Sequence, residues 1–83
     1  MKIKILGTNC SKCNTLFNNT RIAAEELKLH SEILKVENIE EMLAYPILRT
    51  PAMVINEKLI FSGIVPEISE IKQILIAHSN TVL

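Results

Sequence analysis

The chain has 83 residues, nine Lys or Arg against nine Glu, and no Asp. That length makes one domain, 1–83, with a small, mostly aliphatic core, and the singly scattered cations argue against nucleic acid or a membrane surface as partner, while the missing Asp removes Asp-based metal loops and Asp-containing triads. No apolar run reaches membrane-spanning length and Met1–Gly7 lacks the stretch of a secretory signal, so a cytoplasmic chain is expected, in which a lone cysteine pair is more often catalytic or metal-binding than a structural staple.

Lys2 to Leu6 alternates and then turns wholly apolar, which predicts a first strand that Gly7 breaks. Both cysteines of the chain follow at once, in Gly7-Thr8-Asn9-Cys10-Ser11-Lys12-Cys13. From Ser11 to Leu29 the residues Leu16, Ala23, Ala24 and Leu27 recur at helical steps, predicting an amphipathic helix of about five turns that starts at the thiols. His30 and Ser31 close it, and Glu32–Glu37 reads as a second strand. Asn38 with Glu41 resembles a capping box and opens a short helix that Pro46 ends. Arg49-Thr50-Pro51 then leads into Ala52–Ile55, a turn at 56–58, and Leu59–Ser62, a hairpin whose first strand follows a proline. Pro66 opens a last helix with Glu67 and Glu70 in its first turn. Ile68, Ile71, Ile74, Leu75 and a half-buried His78 mark one face, and residues after Ser79 are expected to fray.

The order βαβαββα predicts an α/β fold. Strands joined through a helix run parallel and the hairpin adds two antiparallel ones, giving a four-stranded mixed sheet flanked by three helices. The ligand end of such a sheet lies beyond the carboxyl end of the first strand, where Gly7–Cys13 falls. A thiol in the first helical turn meets the partial positive charge of the helix and unpaired N–H groups, which favour the thiolate and make Cys10 the candidate nucleophile. Cys13 lies one turn further on, within reach to close a disulfide, so the pair carries redox chemistry with no cofactor beyond itself. Lys12 supplies a cation that tunes Cys10 if it turns towards the sulfur, and is otherwise an exposed helix residue. The rival chemistry is a soft metal ion such as Cu(I) held by the same two thiolates. A zinc site finds only His30 and His78 as further ligands, neither at zinc-finger spacing.

The C-x-x-C at a strand-to-helix turn, Thr50-Pro51 ahead of a hairpin and Gly63 just after the last strand resemble the thioredoxin superfamily, in its short, glutaredoxin-sized form often called redox-active disulfide proteins. The resemblance implies a thioredoxin/glutaredoxin-like fold in which Pro51 is a cis proline beside the cysteine pair. Thr50 would then offer its backbone to the substrate chain, with Asn9 and Gly63 beside it in the substrate-binding surface. It further implies a thiol–disulfide oxidoreductase that acts on disulfide-bearing proteins or small molecules and is recharged by a flavoprotein reductase of the thioredoxin reductase type or by glutathione. Against the thioredoxin pattern, Asn9 stands in place of Trp, Ser11-Lys12 in place of Gly-Pro, and Lys4 at the position of a buried Asp that assists proton transfer to the second cysteine. No cluster of basic residues flanks Gly63. The Gly-x-x-Cys-x-x-Cys loop also resembles heavy-metal chaperone domains, which run βαββαβ and carry Met where this chain has Thr8.

Overall fold

A computed structural model describes residues 1–8 and 10–79. The elements are β1 (Lys2–Leu6), α1 (Ser11–Glu26), β2 (Glu32–Val36), α2 (Ile39–Met42), β3 (Ala52–Ile55), β4 (Lys58–Ser62) and α3 (Ile68–Ser79). The strands form one sheet in the order β2-β1-β3-β4, with β1 and β2 parallel and the other two pairs antiparallel. This is the mixed α/β sheet expected from the order of elements, in the thioredoxin-like form that the resemblance implied.

Alternation along β1 assigns its two faces. Ile3 and Ile5 point to the side where α1 and α3 pack, into a core with Leu16, Met53, Ile71 and Leu75. Leu6 points the other way, to a smaller cluster with Val36, Met42, Ala52 and Val54 beneath α2. β3 is buried along its whole length because it is central and covered on both faces. A bulge between Met53 and Val54, opposite Leu59–Phe61, accommodates one extra residue in β4.

Element ends differ from the sequence-based expectation by one to three residues, each for a local reason. α1 stops at Glu26 instead of Leu29 because Lys28 takes a left-handed conformation with φ 56°. Its N–H bonds Glu25 O and that of Leu29 bonds Ala24 O, the Schellman pattern built here without glycine. β2 ends at Val36, one residue short of Glu37. The β3–β4 turn is Asn56-Glu57 alone, with φ 50° and 69°, the paired positive values of a two-residue hairpin turn, so β4 starts at Lys58. Pro66 stands outside α3: Glu67 O accepts from Ile71 N at 2.9 Å and Glu67 N donates to Glu70 Oε1 at 3.0 Å, so Glu67 caps the helix. His78 is exposed and its Nδ1 lies 2.9 Å from Ile74 O. Asn38 does cap α2, its Oδ1 accepting from Glu40 N and Glu41 N. The expected fraying after Ser79 lies outside the described residues.

Candidate active site

β1 delivers the chain to the carboxyl end of the sheet, Gly7 N donates to Val36 O at 2.9 Å, and four residues later α1 begins. Cys10 occupies the N-cap of α1, with extended backbone at φ −113° and ψ 164°. That position normally takes Ser, Thr, Asn or Asp, whose side chain accepts a free N–H of the first turn. Here sulfur does so: Cys13 N donates to Cys10 Sγ at 3.2 Å. No acidic residue sits in this first turn to oppose a negative sulfur.

The two thiols are free, Cys10 exposed and Cys13 buried with 1 % of its surface accessible. The Cys10 thiol is held below its ordinary range, first by the hydrogen bond from the Cys13 thiol, then by the Cys13 backbone N–H, with the Lys12 backbone N–H adding to it. The Cys13 thiol is pushed up, first by burial and then because it donates to Cys10. Residues at i and i+3 of a helix turn lie within disulfide reach. The two thiols are therefore unlike acids, Cys10 lowered and Cys13 raised.

Pro51 enters β3 through a cis peptide bond from Thr50, as the resemblance implied. Pro51 is buried and Thr50 exposed. Gly7 joins this loop to the thiols, since a Cβ placed on Gly7 would touch Cys13 and would lie 3.5 Å from the Thr50 Cβ. Gly63 N donates to Pro51 O at 2.7 Å, which ties the end of β4 to the same loop. Asn9, the remaining substrate-binding expectation, lies outside the described residues.

Several charged groups behave in ways the sequence does not announce. Lys12 is exposed, and the contribution it makes to Cys10 runs through its backbone N–H. The lysine whose charge lowers Cys13 is Lys35 of β2, whose Nζ donates to Asn14 Oδ1 at 2.6 Å and lies 5.3 Å from the centre of the Phe17 ring. Strand parity could have hinted at it, because Lys35 follows Ile33 on the α1 face. Lys4, at the position of the thioredoxin Asp, turns to the α2 face: Nζ bonds Tyr45 OH at 2.9 Å and Glu57 Oε2 at 2.9 Å, and Tyr45 OH donates to Glu57 Oε1 at 2.6 Å. Tyr45 first and Glu57 second hold the Lys4 ammonium above its ordinary value; Tyr45 first and Lys4 second hold the Glu57 carboxyl below its own. Arg49 is the basic residue that flanks Gly63 in space, its Cβ 3.1 Å from where a Gly63 Cβ would stand.

A cleft of about 520 Å³ beneath α2, lined by Lys2, Lys4, Glu41, Tyr45 and Glu57 among others, holds neither cysteine. Of the two thiols, that of Cys10 is open to solvent and that of Cys13 lies behind it. Among the described residues no three His, Cys, Asp or Glu side chains gather into a metal-binding group, and no helix is long and apolar enough to cross a membrane. The order of elements, ending in α3, is not the βαββαβ order of the metal chaperones.

The sequence pattern of the Thioredoxin domain family matches residues 1–76. A thioredoxin of Methanocaldococcus jannaschii is 37 % identical over 71 residues, 86 % of this chain and 81 % of that protein. A thioredoxin of Methanothermobacter thermautotrophicus is 35 % identical over 75 residues, 90 % of this chain and 97 % of that protein. With its sheet, its cis proline and its exposed and buried thiols at the head of α1, the chain belongs to the thioredoxin family, and its chemistry is of the thiol–disulfide oxidoreductase kind.

Proposed function

We propose that Cys10 is the attacking thiolate and Cys13 the resolving thiol in the reduction or exchange of disulfides carried by proteins or small molecules. The observation that supports this reading above the others is the N-cap position of Cys10, where its sulfur is exposed and accepts the Cys13 N–H at 3.2 Å, with Cys13 buried one turn behind it. Cys10 thiolate attacks one sulfur of the substrate disulfide, and the other leaves as a thiolate. Cys13 then loses its proton and attacks the Cys10 sulfur, releasing the second substrate thiolate and leaving a Cys10–Cys13 disulfide. Two electrons have passed to the substrate. A reductase, in this reading a flavoprotein of the thioredoxin reductase type, restores the dithiol, and no other cofactor takes part.

In the same reading the main chain of the exposed Thr50 pairs with the substrate backbone, Pro51 sets its direction, and Gly63 and Asn9 belong to the same substrate-binding surface. Lys12 contributes to Cys10 through its main chain. A cytoplasmic setting fits, since a reducing compartment keeps the dithiol available.

Trapping tests the assignment directly. Cys13→Ala should accumulate a mixed disulfide through Cys10 with a small disulfide or a disulfide-bearing protein, seen as a mass increase that dithiothreitol reverses. If Cys13→Ala captures nothing, or captures through another residue, the roles are wrong.

A further inference from the structure

The structure assigns to Gly7 a positioning role: its missing side chain is the space in which the Cys13 sulfur sits, so that the resolving thiol can reach Cys10. The inference rests on the roles proposed above for the two thiols. Gly7 is one of only two glycines in the chain, and the sequence alone marks it as a strand end. In space it is the back wall of the site. A Cβ on Gly7 would overlap Cys13 Sγ, and would lie 3.4 Å from Cys13 Cβ and 3.5 Å from Thr50 Cβ. Real Cβ atoms do not approach sulfur that closely, so any side chain here moves something.

The peptide cannot easily give way. Gly7 is buried, follows the fully buried Leu6 of β1, and is pinned to β2 by its N–H to Val36 O at 2.9 Å. Its φ of 156° also disfavours a side chain. The yielding group is therefore the Cys13 side chain or the first turn of α1 that carries it. Cys10 is differently placed. It projects from the N-cap into solvent, and the atoms nearest to the added carbon belong to Cys13 and Thr50.

This splits the two chemical steps. Attack by Cys10 on an incoming disulfide needs the exposed thiolate. Resolution needs the Cys13 sulfur within bonding distance and in line with the Cys10–substrate S–S bond, with the substrate sulfur leaving as thiolate. A displacement of about 1 Å in a reacting group is enough to slow a step by roughly 100-fold. Gly7→Ala should slow the second step by roughly that factor, while leaving the first within about threefold.

The experiment is single-turnover exchange of the reduced protein with an excess of 5,5′-dithiobis(2-nitrobenzoate), which separates the first thiolate released from the second. Wild type should release both nearly together. Gly7→Ala should release the first at the wild-type rate and the second slowly, with the Cys10 mixed disulfide visible by mass. Ala24→Val is the control, since it also crowds a buried position but lies about three turns along α1 from Cys13 and outside the proposed site. Its two phases should stay coupled. Should Gly7→Ala fold poorly, Gly7→Ala/Cys13→Ala decides the matter: removing the sulfur makes room for the methyl, so the double variant should recover stability relative to Gly7→Ala beyond additivity. The inference is overturned if Gly7→Ala resolves at the wild-type rate, if both phases slow equally, if Ala24→Val splits the phases just as much, or if the double variant shows no recovery. Each of those results is distinct from a Cys13→Ala protein that captures nothing, which would remove the roles of the two thiols themselves.

Discussion

Cys10 and Cys13 share one helical turn and one side chain, yet the fold makes them unlike acids. Cys10 is the cap, receiving N–H groups; Cys13 is the third helical residue and gives its own N–H to Cys10. The helix that lowers one therefore does not serve the other in the same way, because the free N–H groups point outwards to the cap while the Cys13 side chain turns into the packed side behind Gly7. Thiol reactivity here is set by which end of one hydrogen bond a cysteine occupies and by how much water it keeps.

Removing the sulfurs one at a time breaks this asymmetry most severely. Cys10→Ser should reduce disulfide exchange by more than about 1,000-fold, roughly 4 kcal/mol of barrier, since no other exposed thiol replaces it. Cys13→Ser should stop turnover while keeping a single stoichiometric capture. Steady-state assays beside a one-turnover thiolate count distinguish them. Equal loss of capture in both variants would mean the two thiols do not act in the proposed order.

The next effect is a separation along the pH axis. Cys10 is lowered, chiefly by the Cys13 thiol, so its reactivity should rise with pH below the ordinary thiol range; Cys13 is raised, chiefly by burial, and should react above it. For stability of the reduced protein the signs oppose. The lowered Cys10 contributes stabilisation that is present above its unfolded-state value and is lost as pH falls through the folded one, whereas the raised Cys13 contributes below its unfolded-state value and loses that contribution as pH rises through the folded one. Iodoacetamide labelling at successive pH values, with site-resolved mass readout, should give a Cys10:Cys13 rate ratio of at least about 10 near neutral pH. A ratio near one would sink the asymmetry.

The sheet and its helices are legible in the sequence because periodicity reports burial: Ile3 and Ile5 against Lys2 and Lys4, Ile71 and Leu75 at a helical step. The thiol pair is legible because a strand-to-helix junction is where a sulfur gains free N–H donors, and a second cysteine three residues on falls within disulfide reach. What stays hidden depends on side chains meeting across the chain. The Schellman end at Lys28 lacks the glycine that usually signals it, and Glu57 sits at φ 69° where glycine or asparagine would be expected. Its carboxylate meets Lys4 and Tyr45 from segments 53 and 12 residues away in sequence, a meeting only the register of β1 and β3 brings about. Lys4 at the thioredoxin Asp position reads in sequence as a loss, whereas its charge is spent on the opposite face of the sheet. Gly7 is visible as a break and invisible as a socket.

The smallest expected effect sharpens the comparison on the Cys13 side. Lys35 reaches across from β2 to the first turns of α1, held by Asn14 Oδ1 at 2.6 Å and by the Phe17 ring, and its positive charge opposes the upward push on Cys13. Lys35 is exposed, so water and salt screen it and its influence is modest. Lys35→Met should move Cys13 ionisation to higher pH and slow the second thiolate release about two- to threefold at low ionic strength, with the first release unchanged. Lys35→Arg should retain the wild-type ratio, and in 1 M salt, where the screening length falls to about 3 Å, wild type and Lys35→Met should converge. A salt-independent slowing would trace instead to lost packing on Phe17, and a slowing of the first release would place the charge on Cys10, making the two sulfurs less separately governed than their surroundings indicate.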